Sequence, residues 1–307
     1  MKIGFLGCGK IGRALLKQVA DGDLGQVCFV QDPFADEAAI HAAAPGVPVL
    51  RAADPALYAA ADLVVETATA AALSDQLELI LEHSDLLMFS VTAFSDQAFE
   101  IRARELCSRY GHCIFIPHGA ILGLDGIFDG RALWTQVSIE TTKNPASLGR
   151  EDTRRTVVFE GPTRQACKCY PRNVNVHAAV ALAGIGFDRT ESKIISDPAV
   201  HTNTHVIRVK GAGIDMQLQV SSFSEGGVTG KYTPYSACGS LHRILGAGMP
   251  SVCVKSKTGK DMPTANAGMS FWLLAGGAGK ADRSAETGNR RTACFGAAAA
   301  LLYVLAM

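Results

Sequence analysis

The chain has 307 residues, in which 29 Lys and Arg balance 29 Asp and Glu, and 48% of the residues are hydrophobic against 19% charged. This composition predicts a folded protein, and the length favours two domains of about 100–200 residues each. Because balanced charge gives no net field that attracts polyanions, we predict neither nucleic acid nor a membrane as a partner.

The N-terminal part of the chain alternates short apolar segments with amphipathic ones. Strands are predicted where β-branched and apolar residues run together, at residues 2–7, 26–30, 62–66, 85–91 and 113–117. Helices are predicted where apolar residues recur three and four positions apart, at residues 10–20, 36–44, 70–83 and 96–110. This alternation predicts an α/β fold with a Rossmann domain over residues 1–117, a doubly wound parallel sheet that binds ligands at the carboxyl ends of its strands.

A glycine motif follows the first predicted strand. Gly7, Gly9 and Gly12 form a GxGxxG pattern, and Lys10 and Ile11 lie between the last two glycines where a helix begins. The glycines permit a tight turn, close approach of the backbone to a pyrophosphate, and close packing of helix on strand. Because the free N–H groups of the helix N-terminus favour an anion, we predict that these five residues bind a dinucleotide.

Asp32 stands twenty residues after Gly12, at the end of the second predicted strand. A carboxylate at this position can accept hydrogen bonds from ribose hydroxyls, which favours NAD over NADP. Arg51 or a lysine could lie near a 2′-phosphate in the folded chain, so NADP stays open as an alternative cofactor.

The second part of the chain has longer strand candidates. They occupy residues 134–142, 156–159, 192–196, 204–209 and 214–220, with one strong internal helix at 174–185 and a last helix at 235–245. We predict an α+β domain over residues 118–246 that holds the substrate and the dimer contact. Residues 247–307 carry no motif, and they are predicted to be an extension of unknown role.

Two polar stretches of the second domain are candidates for a site. Residues 170–177 place two Asn, an Arg and a His at a helix start, where an amide side chain either caps the helix or reaches a nicotinamide or ribose. Residues 197–206 concentrate an Asp, an Asn and two His in a loop that leads into a strand.

Several motifs of this chain resemble the L-aspartate dehydrogenase family. They are GAILGLDGI at 119–127, TTKNP at 141–145, PRNVNVHAAVALAGIG at 171–186, DPAVHTNTHVI at 197–207 and TGKYTPYSACGSLHRIL at 229–245. The resemblance covers the chain through about residue 246. It implies an NAD(P)-dependent oxidoreductase that converts L-aspartate to iminoaspartate, which hydrolyses to oxaloacetate and ammonia or enters NAD biosynthesis.

The resemblance also implies roles for single residues. His205 matches the catalytic histidine of the family, and Ala120 and Asn175 match positions that contact the nicotinamide cofactor. Imidazole suits this chemistry, because removal of a proton from the substrate requires a base that titrates near neutrality. The candidates for binding the substrate, including its two carboxylates, are Lys143, Arg172, Lys231 and Asn203.

Some positions depart from the pattern expected of the family. His118 stands where a small residue such as Ser is expected, and the segments around Thr69, Thr92 and Phe94 are also altered. A bulky imidazole and Phe94 near the nicotinamide would reshape the pocket. Two alternatives therefore stay open: a related dehydrogenase or imine reductase for another small amino or keto dicarboxylate, and a non-catalytic NAD-binding regulatory protein.

The nine cysteines form no CxxC pair, which favours reduced thiols and no metal site. The N-terminus has no pattern typical of a secretory signal, and the longest apolar run, at residues 294–307, is too short to span a bilayer. We therefore predict a cytoplasmic protein. The resemblance favours a homodimer.

Overall fold

A computed structural model describes residues 1–22, 24–223 and 230–245 of the chain. The predicted extension at residues 247–307 lies outside these ranges.

The first unit is a parallel sheet with helices. Its strands are β1 (Lys2–Leu6), β2 (Gln26–Gln31), β3 (Val49–Leu50), β4 (Leu63–Glu66), β5 (Asp85–Met88) and β6 (Ile114–Phe115). Its helices are α1 (Lys10–Asp21), α2 (Glu37–Ala43), α3 (Pro55–Ala59), α4 (Ala70–His83) and α5 (Gln97–Tyr110). The strand order is β3-β2-β1-β4-β5-β6 with every pair parallel, which confirms the predicted Rossmann fold.

The strand order reverses between β1 and β4, and this reversal opens a crevice at the carboxyl ends of both strands. Strand β4 is buried along its whole length, as expected for a central parallel strand covered on both faces. Helix α1 buries Leu15, Leu16 and Val19 on one face. Because α1 directly follows β1, its N-terminus lies at the crevice.

The second unit is built on a mixed sheet. Its strands are β7 (Trp134–Lys143), β8 (Thr156–Pro162), β9 (Glu191–Ser196), β10 (Thr202–Gly211) and β11 (Ile214–Phe223), and its helices are α6 (Leu124–Asp129), α7 (Thr163–Cys169), α8 (Asn175–Ala183) and α9 (Tyr232–Leu245). The sheet order is β11-β10-β7-β9-β8, and only β7 and β9 pair in parallel. The predicted α+β fold is confirmed.

The structure adds helices that the sequence pattern did not predict. Helices α3, α6 and α7 have five, six and seven residues. Helices this short show fewer than two turns of apolar periodicity, so their pattern cannot be separated from that of a loop.

The last described helix returns to the first unit. Ala237 and Leu241 of α9 are buried in the same apolar cluster as Leu15 and Leu16 of α1. Helix α9 therefore packs against α1 of the first unit. None of the helices in the described ranges is long and apolar enough to cross a membrane.

Candidate active site

A cleft of about 130 Å³ lies between the two units at the crevice. Residues from the first unit and from the connections around β6 line one side of it, namely Ile11, Phe89, Val91, Pro117, His118, Gly119 and Ala120. Residues of the second sheet and of the segments beside it line the other, namely Lys143, Arg172, Asn173, Asn175, Val176, Ala179, Asn203, His205 and Ser222, and Gly230 and Thr233 close it. The cleft therefore combines the cofactor end of a Rossmann unit with polar groups of a second sheet.

Sheet register brings the principal polar groups together. His205 of β10 lies opposite Thr141 of β7, and Lys143 lies two residues farther along β7. Because side chains alternate between the two faces of a strand, Thr141 and Lys143 point to the same face. The sheet therefore places an imidazole and an ammonium side by side in the cleft.

His205 is buried, with 3% of its surface exposed, and it lines the cleft. Its Nδ1 lies 2.8 Å from Thr141 Oγ1, and its Nε2 has no hydrogen-bond partner within the described part of the chain. Burial, followed by the charge of Lys143, lowers the pKa of His205 to about 3. The ring is therefore neutral near pH 7 and has an unprotonated nitrogen, but its pKa lies well below the near-neutral range that the sequence led us to expect of the base.

Lys143 is also 3% exposed, and its Nζ donates to Asn173 Oδ1 at 3.2 Å. No carboxylate of residues 1–22, 24–223 or 230–245 forms an ion pair with it. Burial lowers its pKa from 10.5 to about 8. Since a buried charge without a counter-ion is costly, this ammonium favours an anionic ligand in the cleft. Sequence reasoning did not single out Asn173 as its partner.

The other predicted substrate residues differ in position. Asn203 is buried and Arg172 is exposed, and both line the cleft. Lys231 is exposed and is not among the residues that line it, although Gly230 and Thr233 are. Its backbone N–H instead donates to the carbonyl of Phe223, which fixes the approach to α9.

The glycine turn has the geometry of a dinucleotide cradle. Gly7 has a φ of +85°, and a Cβ there would lie 2.7 Å from the backbone of Ala68. A Cβ on Gly12 would lie 2.6 Å from Thr67 Oγ1. A Cβ on Gly9 would meet nothing within 4 Å, so the space in front of Gly9 is open. Gly9 is also the N-cap of α1 and offers no side chain to its free N–H groups, which an anion could therefore contact.

Replacing Gly9 by Ala tests this cradle. We expect the free energy of unfolding to stay unchanged, because the new methyl group enters open space, whereas NADH affinity falls about tenfold or more because the methyl group blocks the approach of the pyrophosphate. Urea unfolding and fluorescence titration with NADH measure the two effects. In contrast, Gly7→Ala should lose both stability and binding, because of its left-handed φ. Unchanged NADH affinity in Gly9→Ala would contradict the assignment.

The carboxylate of Asp32 joins this turn to the end of β2. It accepts hydrogen bonds from the backbone N–H groups of Cys8, at 2.9 Å, and Phe34, at 2.8 Å. Arg51 donates to the carbonyl oxygen of Asp32 and to Glu37 Oε1, so its guanidinium lies beside the same loop. Lys10 is exposed at the start of α1.

Asn175 and Ala120 both line the cleft. Asn175 is the first residue of α8, but the N-cap of that helix is Val174 and no side chain caps it. Asn175 Oδ1 instead accepts a hydrogen bond from the backbone N–H of Thr92 at 3.1 Å. Asn175 therefore ties the second unit to the segment after β5, and the capping alternative for this residue is wrong.

The two unusual residues of the sequence lie in different environments. His118 lines the cleft, its Nε2 is 3.9 Å from Asp125, and burial lowers its pKa. Phe94 is 1% exposed and packs edge-on against Phe99, with ring centroids 5.3 Å apart. The expectation that Phe94 reshapes the pocket is therefore wrong, because its ring belongs to the core.

Glu66 is a residue that the sequence analysis missed. It is fully buried at the end of β4, and its carboxylate accepts hydrogen bonds from the N–H groups of Ala68, Phe89 and Ser90 and from Ser90 Oγ. Burial raises its pKa, and these hydrogen bonds act in the opposite direction. Glu66 thus holds together the two loops that follow β4 and β5. The one available signal was an acidic residue that ends an apolar strand.

In the described ranges, no group of three or more His, Cys, Asp and Glu side chains is arranged to hold a metal ion.

Comparisons with known proteins relate both units to dehydrogenases. A family profile described as the NAD binding domain of homoserine dehydrogenase matches residues 7–117, and one described as aspartate dehydrogenase, C-terminal, matches residues 129–244. L-aspartate dehydrogenase of Methanosarcina acetivorans is 30% identical over 267 residues, which cover 80% of this chain and 97% of that protein. The enzyme of Methanococcoides burtonii is 33% identical, over 69% of this chain and 84% of its own.

A crystal structure of aspartate dehydrogenase from Thermotoga maritima has a similar architecture. It superposes with a TM-score of 0.66 at 29% sequence identity, covering 80% of this chain and 96% of that chain. The similarity therefore extends over both units and the cleft between them.

Proposed function

The chain belongs to the aspartate dehydrogenase family, and on that premise we propose that it oxidises L-aspartate to iminoaspartate with a nicotinamide dinucleotide. The iminoaspartate then hydrolyses to oxaloacetate and ammonia. The observation that carries this proposal is the pairing of a neutral buried imidazole, His205, with a buried ammonium, Lys143, in a cleft that begins at a dinucleotide turn.

The glycine turn and the N-terminus of α1 fit the pyrophosphate of the cofactor. The open space at Gly9 would admit the phosphates, and the carboxylate of Asp32, which also accepts from two backbone N–H groups, would accept hydrogen bonds from the adenosine ribose. Ala120 and Asn175 line the cleft where the nicotinamide end would bind. When bound, the nicotinamide ring supplies the acceptor for the hydride that leaves Cα of the substrate.

His205 acts as the base in this proposal. Its Nε2 takes one proton from the substrate ammonium, which leaves a lone pair on the substrate nitrogen. The hydrogen at Cα leaves with the bonding electron pair as a hydride, and the nitrogen lone pair forms the C=N bond. The proton released in the overall reaction is thus held by His205. Burial is the larger cause of the low pKa of His205, and the charge of Lys143 is the second. A carboxylate bound to Lys143 would offset the second cause, so binding of the substrate would raise the pKa of this base.

Lys143 and Arg172 are proposed to bind the two substrate carboxylates. Lys143 is fixed in the sheet and held by Asn173, whereas Arg172 is an exposed side chain at the rim of the cleft. Asn203 and Thr233 add buried polar groups to the same cleft. A dicarboxylate therefore fits this arrangement better than a neutral amino acid does. Lys231, being exposed, would act only from the mouth.

NAD is the proposed cofactor, with NADP as the alternative. The carboxylate of Asp32 would repel a 2′-phosphate, and Arg51 is already engaged by carbonyl oxygens and Glu37. We expect a lower KM for NAD than for NADP. A lower KM for NADP would contradict NAD as the preferred cofactor.

The reaction is tested by mixing the protein with L-aspartate and NAD or NADP and following the absorbance of the reduced cofactor. The reverse reaction is measured with oxaloacetate, ammonia and reduced cofactor. Turnover in either direction supports the proposal. NADH binding without turnover in either direction would indicate another dicarboxylate or a regulatory protein, and a panel of amino and keto acids separates these two.

We further propose that residues 1–117 form the cofactor domain, that residues 118–246 form the substrate domain, and that two copies associate through the second sheet. The outer positions of β10, such as Arg208 and Lys210, are exposed. Sedimentation equilibrium measures the assembly.

A cytoplasmic location is also proposed, because the seven cysteines of the described ranges are all free thiols, as is typical of a reducing compartment.

A further inference from the structure

A continuous set of buried hydrogen bonds connects His205 to a distant backbone carbonyl. It passes through four side chains, here called the relay: Thr141, His177, Ser192 and Thr163. The successive distances are 2.8, 2.6, 2.9 and 2.7 Å, and the last hydroxyl lies 2.9 Å from the carbonyl oxygen of Thr190. Every one of these residues is at most 3% exposed, so their polar groups form hydrogen bonds with one another rather than with solvent.

The far end of the relay has a fixed direction. A carbonyl oxygen only accepts hydrogen bonds, so Thr163 donates its single hydroxyl proton to Thr190. Thr163 Oγ1 must then accept from Ser192. Ser192, which has donated its own proton, must accept from Nδ1 of His177. His177 therefore carries its proton on Nδ1.

The near end takes its direction from the far end. Burial lowers the pKa of both His177 and His205, so each ring is neutral and carries one N–H group. Because Nδ1 of His177 is protonated, its Nε2 accepts a hydrogen bond from Thr141. Thr141 has then donated its only proton and must accept from Nδ1 of His205. His205 is left with an unprotonated Nε2.

We propose that the relay selects the Nδ1–H tautomer of His205, and that its four members are positioning residues for the base. The inference rests on the proposed function, because only an unprotonated Nε2 can take the proton of the substrate ammonium. In the opposite direction each hydroxyl would donate toward His205, whose Nε2 would then carry the proton. The Thr190 carbonyl opposes that state, since Thr163 would give up its hydrogen bond to it.

The tautomers are measured directly by long-range ¹H–¹⁵N correlation spectra of protein labelled with ¹⁵N-histidine. Comparison with His205→Gln and His177→Asn assigns the two rings. We expect Nδ1–H and an unprotonated Nε2 for both rings in the wild-type protein. A proton on Nε2 of either ring would overturn the proposal.

Thr163→Val is the informative variant. It removes the acceptor of the Ser192 hydroxyl, which can then donate only to His177 Nδ1, so the direction reverses and Nε2 of His205 gains the proton. In this variant the Nδ1–H tautomer of His205 could form only with the Ser192 hydroxyl buried and unpaired. Because that unpaired donor makes the tautomer less favourable, kcat should fall about 5- to 150-fold. The KM for aspartate and NADH affinity should not change, because Lys143 and the glycine turn are untouched.

Two further threonine variants serve as controls. Thr163→Ser restores the hydroxyl and should restore both the tautomer and kcat. Thr204→Val removes a hydroxyl that bonds Ser221, next to His205 on β10 but on the opposite face, and should change neither. Wild-type kcat with an Nδ1–H tautomer in Thr163→Val would overturn the proposal.

Ser192→Ala provides a second route if Thr163→Val does not fold. It deprives His177 Nδ1 of its acceptor, and the same reversed tautomers and lower kcat are expected. The wild-type spectrum separates this proposal from the proposed function. An Nδ1–H tautomer in a protein that does not turn over aspartate supports the relay and rejects the substrate, whereas turnover with Nε2–H rejects the relay alone.

Discussion

Replacement of His205 by Gln should lower kcat for aspartate oxidation about 100- to 10,000-fold, the range observed when a general base is removed. The Gln amide can still donate to Thr141 and fill the same space, but it cannot take a proton. NADH affinity should be retained, because the glycine turn lies on the other unit. Steady-state kinetics and NADH titration measure the two quantities.

The matched control for this variant is His201→Gln. His201 is exposed and lies four residues before His205 in the same motif. We expect its kcat to equal that of the wild-type protein. Wild-type turnover by His205→Gln would reject His205 as the base, and His118, the other histidine at the cleft, would become the candidate.

Replacement of Lys143 by Met should raise the KM for aspartate about 30- to 4,000-fold, equivalent to the about 2–5 kcal/mol lost when one partner of a buried charge pair is removed. The substrate carboxylate would then be buried without a counter-ion. Lys17→Met is the control, since Lys17 is exposed on α1 and pairs with Asp21. A KM unchanged in Lys143→Met would reject Lys143 as the carboxylate ligand.

The pKa of Lys143 predicts a pH dependence of substrate binding. Its pKa is lowered to about 8, so the ammonium is lost as the pH rises through that value, and the KM for aspartate should rise above pH 8. The charge of Lys143 acts on His205 and His177, and both of these imidazoles are already neutral at this pH. In Lys143→Met this rise should be absent.

Lys143 should also destabilise the free protein at neutral pH. Its pKa in the folded chain lies below its ordinary value of 10.5, so the unfolded state binds more protons between about pH 8 and 10.5. The free energy of unfolding therefore rises through this interval, and the buried charge costs on the order of 3 kcal/mol below it. Urea unfolding at pH 7 should show Lys143→Met to be at least as stable as the wild-type protein.

The sequence predicted the parts of this fold that depend on local pattern. The strands β1, β2, β4 and β5 each contain an apolar run, and the glycine turn follows β1 directly, so the Rossmann unit could be recognised. The two-residue strand β3 gives no such run. His205 was singled out through a resemblance of motifs, not through periodicity.

The relay could not be predicted, because its residues are close only in the folded chain. Thr141 and His205 are 64 residues apart and meet through the pairing of β7 with β10. His177 stands at a helix start, and nothing in its local sequence shows that it lies between Thr141 and Ser192. Phe94 was misplaced for the same reason, because its position in the core depends on packing against α5.

The residues that line the cleft belong to two kinds of segment, and these segments differ in their tolerance to mutation. His205 and Lys143 belong to paired strands, whereas His118, Ala120 and Arg172 belong to the connections around them. A shift of one residue in the strand ladder would turn both strand residues to the other face and remove them from the cleft. Connections accept substitutions at little cost to folding. Under the proposed function, substitutions in the connections would alter the choice of dicarboxylate, while the paired strands would keep His205 and Lys143 in the cleft.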